Sequence, residues 1–225
     1  MKHNLSLLTF YLSGAIDLSP TGGTTWRDEI TQKLIRLGIP SENIYSPTNK
    51  PIENNMELSA ERELIHDLRK RKAWKQLEDV VTKIVKIDLR LTDISSVIIL
   101  YMEQQEKVCD CFNCLEIREH WEEFKNHKVG FKEKFVTRLT TPTFGSIHEA
   151  IIGLQAKKPV LMIHPGGLKE VSAWMLSIIG REYIFESIDE CMDYLKDVRD
   201  GKVDPDPKKW LFLDRPKDNL TKGTK

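Results

Sequence analysis

Apolar residues form five short runs along this chain, and between the runs they recur at helical spacing. The first run, "LSLLTFYL" (residues 5–12), leads into Gly14, and "NIYSP" (43–47) is stopped by Pro47. "SSVIILYM" (95–102) is the most continuous, and "PVLMIH" (159–164) and "YIFES" (183–187) complete the set. Runs of this length bounded by Gly, Pro and Ser predict short buried strands. The segments between them predict helices. Trp26, Ile30, Leu34 and Leu37 share one face before a glycine stop at Gly38, and a helix in two parts is expected from Leu58 to Leu91. Further helices are expected over residues 147–157, in "VSAWMLSII" and in "IDECMDYLKDVRD". Strand and helix alternate, so the expected fold is α/β: a flavodoxin-like or Rossmann-like three-layer sandwich around a five-stranded parallel sheet. Ligands of such sheets gather at the carboxyl ends of the strands, here where the loops after strands one, three and four converge.

Two segments break the rhythm. A polar loop runs to about Met56 and is a candidate substrate wall, and residues 103–138 form an insertion after strand three, with a helical "LEIREHWEEFKNH" inside it. The chain of 225 residues is then one domain over 1–202 plus a polar, proline-rich tail over 203–225. Within the tail, Trp210 to Leu213 is apolar and is expected to dock on the domain or on a neighbouring subunit.

Charge narrows the partners. Lysine and arginine together number 34, against 34 acidic residues, so no global field draws the chain to nucleic acid or to an anionic membrane. The basic run "RKRKAWK" reads as a solvated helix face. The opening "MKHNLSLLTFYLSGA" mimics a signal peptide, but Ser6 and Thr9 interrupt it and it continues into a glycine-rich turn. No run approaches the roughly 18 apolar residues of a membrane span. A soluble, cytoplasmic protein acting on a small molecule is expected, with neither membrane nor nucleic acid as partner.

Cys109, Cys111 and Cys114 lie too close together to suggest a disulfide framework. With His120 or His127 they make a candidate zinc site that would staple the insertion. The usual paired C-x-x-C arrangement is absent, so redox or incidental thiols are the favoured reading, and no cofactor or catalytic metal is expected.

Three features can carry chemistry. Leu77, Val81, Ile84, Asp88 and Leu91 fall on one helical stripe, which places Asp88 among aliphatic residues facing the sheet. Such an acid either bonds a nearby amide or basic group, or works as a proton donor at the ligand edge with an acidity weakened by burial. Its neighbour Asp93 is placed to cap the turn into strand three.

Glu149 stands three residues after Ser146, and S-x-x-E is the capping box; the same pattern recurs at Ser187 and Glu190. On spacing alone the cap is favoured. Against it, Gly145 precedes Ser146, and Gly153 and Ala156 follow Glu149 on its own helical face, where small residues let a helix approach a sheet closely. A carboxylate at a helix N-terminus is favoured in its ionised form, which suits attack on an electrophilic carbon. His148 is expected to point elsewhere. The third feature is "SGAIDLSPTGGTTW", where Gly14, Gly22 and Gly23 are expected to leave backbone amides accessible to a phosphate or sugar oxygen. It matches neither phosphate-loop pattern, and a plain turn is an equal alternative.

One acid suited to holding a proton and one suited to ionisation make the division of labour of glycosidic cleavage. The ordered motifs "YLSGAI", "IDLRLTDISSVIIL" and "GSIHEAIIGLQAKKPVLMI" resemble the nucleoside 2-deoxyribosyltransferase and nucleotide N-glycosidase superfamily over roughly residues 7–37, 84–101 and 141–164. The resemblance implies that Glu149 attacks the anomeric carbon to form a glycosyl-enzyme ester, and that Asp88 is associated with protonating the departing base. It implies that Ser13, Gly14 and Ile16 line the sugar and base site, that Gly145 and Ser146 contact the sugar or its 5′ phosphate, and that the protein is a homo-oligomer. The long insertion and "SIHEAIIG" depart from the common pattern, which bears on substrate size and water access. Cleavage or transfer at the N-glycosidic bond of a nucleoside or nucleotide is the expected function. A nucleotide sensor without turnover, and a glycohydrolase of the NAD type, are the alternatives.

Overall fold

A computed structural model describes residues 3–16, 19, 21–48, 58–102, 104–108, 136–140, 144–206, 208 and 210, with backbone only over 58–62, 104–108 and 136–140. Seven strands are described: β1 Phe10–Gly14, β2 Ile44–Tyr45, β3 Val97–Tyr101, β4 Gln104–Val108, β5 Val136–Thr140, β6 Val160–Ile163 and β7 Ile184–Phe185. Six α-helices accompany them: α1 Thr24–Arg36, α2 Leu58–Lys70, α3 Trp74–Ile94, α4 Phe144–Gln155, α5 Ala173–Ile179 and α6 Ile188–Asp200. Five strands make one sheet in the order β2-β1-β3-β6-β7, every pair parallel. This is the flavodoxin-like order with helices on both faces, a three-layer α/β fold. The chain passes from β1 outward to β2 and returns to the other side of β1 as β3, so the switch point lies between β1 and β3.

Parallel strands covered on both faces read as continuous apolar runs because neither face meets water. Phe10, Tyr11, Leu12, Ile98, Ile99, Leu100, Leu161 and Ile163 accordingly form the centre of the core. Helices α3 and α4 pack on each other, and α4 lies against β1, β3 and β6; α1 and α6 pack together on the opposite face. The break between α2 and α3 falls at residues 71–73, where Lys72 takes a positive φ of 56° and the basic run is exposed, as expected of a solvated face.

Several boundaries differ from the sequence reading. Residues 5–7 form a 3-10 turn capped by the Asn4 side chain, so the first strand begins only at Phe10 and extends through Gly14. Apolarity marked the burial of Leu5 and Leu8 correctly but not their conformation. Helix α4 runs over 144–155 instead of 147–157. The excursion after β3 is framed by an antiparallel pair, Gln104 opposite Thr140 through Val108 opposite Val136, which is separate from the main sheet. The expected end at 138 therefore falls inside β5. Gln104 to Val108 is mostly polar, and its strand character escapes a reading based on apolar runs.

Trp210 is buried and packs near Tyr194, with ring centroids 6.3 Å apart, so this part of the tail docks on its own domain. No helix among the described residues is long and apolar enough to cross a membrane. The cysteine cluster with His120 and His127, the "LEIREHWEEFKNH" segment and the polar loop over 49–56 lie outside the described residues. Cys191 is a free, fully buried thiol, and burial pushes its acidity far from the range of a reactive thiolate.

Candidate active site

Period-two alternation in β1 sends Tyr11 and Ser13 to one face of the sheet and Leu12 and Gly14 to the other. Tyr11 and Ser13 face α4. Their hydroxyls donate to the two oxygens of one carboxylate: Tyr11 Oη to Glu149 Oε1 at 2.9 Å and Ser13 Oγ to Glu149 Oε2 at 2.5 Å. All three residues are buried, with Glu149 8 % exposed. The approach depends on Gly153, one turn further along α4, because a Cβ there would sit 2.2 Å from Ile98 Cδ1 in β3. Ala156 is exposed just past the helix end and takes no part in that contact, contrary to the sequence reading.

The capping box is not formed at this helix. α4 already begins at Phe144, so Ser146 sits in the first turn, buried, and Glu149 lies beyond the position from which a side chain reaches back to the cap. Both carboxylate oxygens point to the sheet instead. His148, the next residue back, is exposed, as its helical position requires.

Burial raises the proton affinity of Glu149 above that of an ordinary glutamate. The Ser13 hydroxyl opposes this first, followed by the Tyr11 hydroxyl, the Arg27 guanidinium and His148. Tyr11 is a much weaker acid than free tyrosine, through burial first and then through the negative charges of Glu149 and Asp88. Tyr11 therefore stays protonated as a donor, and it marks the place where the fields of the two acids meet. Asp88 is half-buried on α3, on the stripe of half-buried apolar residues predicted for it, and Leu91 one turn later is buried.

The two acid-bearing helices are tied together by Lys158. Its ammonium donates to the Thr92 carbonyl at 2.8 Å and to the Asp93 carbonyl, which closes the C-terminal end of α3, where a cation is favoured. Its backbone N–H bonds the Gly153 carbonyl of α4 at 2.9 Å. One buried lysine thus fixes the end of the helix carrying Asp88 against the end of the helix carrying Glu149. Burial lowers its pKa from the ordinary lysine value.

Of the two readings left open for the glycine turn, Gly22 and Gly23 follow the plain turn. Gly22 N–H donates to the Ser19 carbonyl at 3.1 Å and Gly23 N–H to Ser19 Oγ at 2.9 Å, so neither amide is left for a ligand. Gly14 is required for closeness: a Cβ would meet Trp26 Cζ2 at 2.5 Å and the Tyr101 carbonyl at 2.9 Å. Ile16 is half-buried in the loop beyond it. Gly145 is exposed, and a Cβ there would meet nothing within 4 Å.

Ser13 and Glu149 are thus joined directly, with Asp88 close through its field at Tyr11, while Gly14 and Ile16 form the edge of the turn. Sequence reasoning missed Tyr11 and Arg27. The signal for Tyr11 was present, since two hydroxyl residues at i and i+2 of a buried strand share one face and need a common partner. Arg27 gave no signal, being one charge among many on an amphipathic helix. No group of three or more metal-ligating side chains occurs among the described residues. No protein-family model matches the chain, and no curated protein matches it at a significant level.

Proposed function

We propose that the protein cleaves or transfers the N-glycosidic bond of a nucleoside or nucleotide, in the manner of the nucleoside 2-deoxyribosyltransferase superfamily, through a glycosyl ester on Glu149. The observation that carries this reading is the buried Glu149 carboxylate, held on both oxygens by β1 hydroxyls at the switch point of a parallel sheet. A carboxylate buried against hydroxyl donors is desolvated, and each of its oxygens keeps a lone pair beyond the hydrogen bond. A structural carboxylate at this place would more simply be an aliphatic residue, since burying a charge costs free energy.

In the first step a Glu149 oxygen attacks the anomeric carbon. The new C–O bond replaces the C–N bond, whose electron pair leaves with the base, and Asp88 gives that base its proton. In the second step water or an acceptor base attacks the same carbon, the ester bond breaks, and the proton of the attacking group returns to Asp88. Tyr11 and Ser13 hold the carboxylate in line and stabilise it as it is regenerated. A closed pocket favours transfer and a wet one hydrolysis.

Chromatography of free bases tests the reading. The panel is deoxynucleosides, deoxynucleotides, ribonucleotides and NAD, each with and without a second base. Base release that disappears in Glu149→Gln is the expected result. A folded protein that binds a nucleotide, gaining thermal stability, yet releases no base from any member of the panel overturns it in favour of a sensor.

A further inference from the structure

Arg27 is among the largest fully buried side chains of the protein, at 1 % exposure. It lies in the first turn of α1, and its guanidinium is spent on the backbone of the β1–α1 connection. Nε donates to the Leu12 carbonyl at 3.2 Å, Nη2 to the Gly14 carbonyl at 2.8 Å, and Nη1 to the Gly23 carbonyl at 2.8 Å and the Ala15 carbonyl at 3.4 Å. The same group lies 4.1 Å over the Trp26 ring, which stacks on Tyr101 at the end of β3 with centroids 4.8 Å apart.

Two of these carbonyls, Leu12 and Gly14, belong to the neighbours of Ser13. The guanidinium therefore clamps the strand on both sides of the residue whose hydroxyl holds Glu149 Oε2, from the opposite face of the sheet. An arginine remains charged when buried, and a buried charge is tolerated where oriented dipoles and an opposite charge offset its lost hydration. Here the dipoles are the four carbonyls, and the opposite charge across the strand is Glu149.

We propose that Arg27 is a positioning residue of the Glu149 site: it fixes the Ser13 hydroxyl by gripping the carbonyls on either side, and its buried positive charge favours Glu149 in the ionised form. The proposal rests on Glu149 acting as nucleophile for its consequence in catalysis, but not for its electrostatic content. Its direction agrees with the effect of Arg27 on Glu149 and Tyr11, whose pKa values it lowers in both cases. The groups that act on Glu149 are Tyr11 and Ser13 of β1 by direct hydrogen bonds and Arg27 of α1 and His148 of α4 through their charge, with Asp88 of α3 acting at Tyr11.

The test is a titration that needs no substrate. In the intact protein carrying ¹³C-labelled glutamate carboxyls, the resonance that vanishes in Glu149→Gln is followed against pH in wild type, Arg27→Gln and Arg27→Lys. A Glu149 midpoint displaced to higher pH in Arg27→Gln, and restored towards wild type in Arg27→Lys, is expected. In the base-release assay the acid limb of kcat/KM should move the same way in Arg27→Gln. Identical midpoints in all three proteins overturn the proposal. Should Arg27→Gln lose its cooperative melt, Arg27→Lys decides, because it keeps the charge and forfeits most of the clamp. A retained midpoint with turnover reduced about tenfold, roughly the loss of one good hydrogen bond in the transition state, supports the role. Wild-type turnover and an unchanged profile in that variant sink it. Absence of base release with a displaced midpoint would instead remove the glycosidic reading and leave the Arg27 assignment standing.

Discussion

Ser146 with Glu149 and Ser187 with Glu190 are two copies of one pattern, each at the start of a helix, and the fold puts them to opposite uses. At α6 the serine has extended backbone angles and lies outside the helix; its Oγ accepts from the Glu190 N–H at 3.2 Å, and Glu190 Oε2 accepts from the Glu186 N–H at 2.7 Å. Both side chains are spent on orphan amides in water. At α4 the helix starts two residues before the serine, the serine is buried in the first turn, and the glutamate turns away from the helix end to two hydroxyls of a neighbouring strand. The difference lies in which face the sheet demands. Glu190 is exposed and meets a backbone amide just before its own helix, whereas Glu149 stands on the face that Gly153 presses against Ile98. A local motif states what a segment is able to do, and the packing of its helix decides whether it does so.

The sharpest way to break this comparison is to neutralise both acids in parallel. Glu149→Gln should lower base release by more than about 10³-fold, the size of effect seen when one member of a catalytic unit is removed. Glu190→Gln should leave turnover unchanged, and equal losses in the two variants would erase the distinction. Next in size are the hydroxyls, because a hydrogen bond to a charged group contributes about 1.5–3 kcal/mol. Tyr11→Phe and Ser13→Ala each remove a donor to the ionised carboxylate, so the acid limb of kcat/KM should move to higher pH in each. A limb that stays in place would show that the hydroxyls do not govern Glu149.

The cap itself is worth less. Ser187→Ala should destabilise the protein by about 1 kcal/mol in urea melts and leave the pH profile alone. The smallest effect is a slope. Glu149 binds its proton more tightly folded than unfolded, so its stabilising contribution is full below the ordinary carboxylate range and is lost as pH rises through the raised folded midpoint. Thermal melts of Glu149→Gln should therefore gain on wild type as pH rises across that window, and parallel curves would show that burial does not perturb this acid.

Much of the fold was legible because burial on both faces of a parallel sheet demands continuous apolar runs, and all five runs became strands of that sheet. Legibility failed where conformation is set by something other than apolarity. Leu5 and Leu8 are as buried as strand residues, yet Leu5 lies in a turn fixed by Asn4 and Leu8 ends it. In the site, Glu149 and Ser13 could be singled out by position, but their meeting could not, since it depends on the register of α4 against β1. The glycine turn could be read either as open amides or as a plain turn, and spacing could not choose between them. The choice is made by Ser19, which takes the amides of Gly22 and Gly23, and by Arg27 and Trp26, which shape the turn from outside it.

The hydrogen bonds that hold Glu149 join residues 136 and 138 positions apart along the chain. During synthesis, at about 5–20 residues per second, β1 is complete long before its acid leaves the ribosome, and it waits with two hydroxyls on a face that has no partner. Pairing so distant also closes late in folding, because the entropy of a long loop must be overcome before any contact rewards it. The buried carboxylate site therefore comes into being among the last events of folding, when the sheet beneath it is already laid, and a partly made chain has the two hydroxyls without the acid they hold.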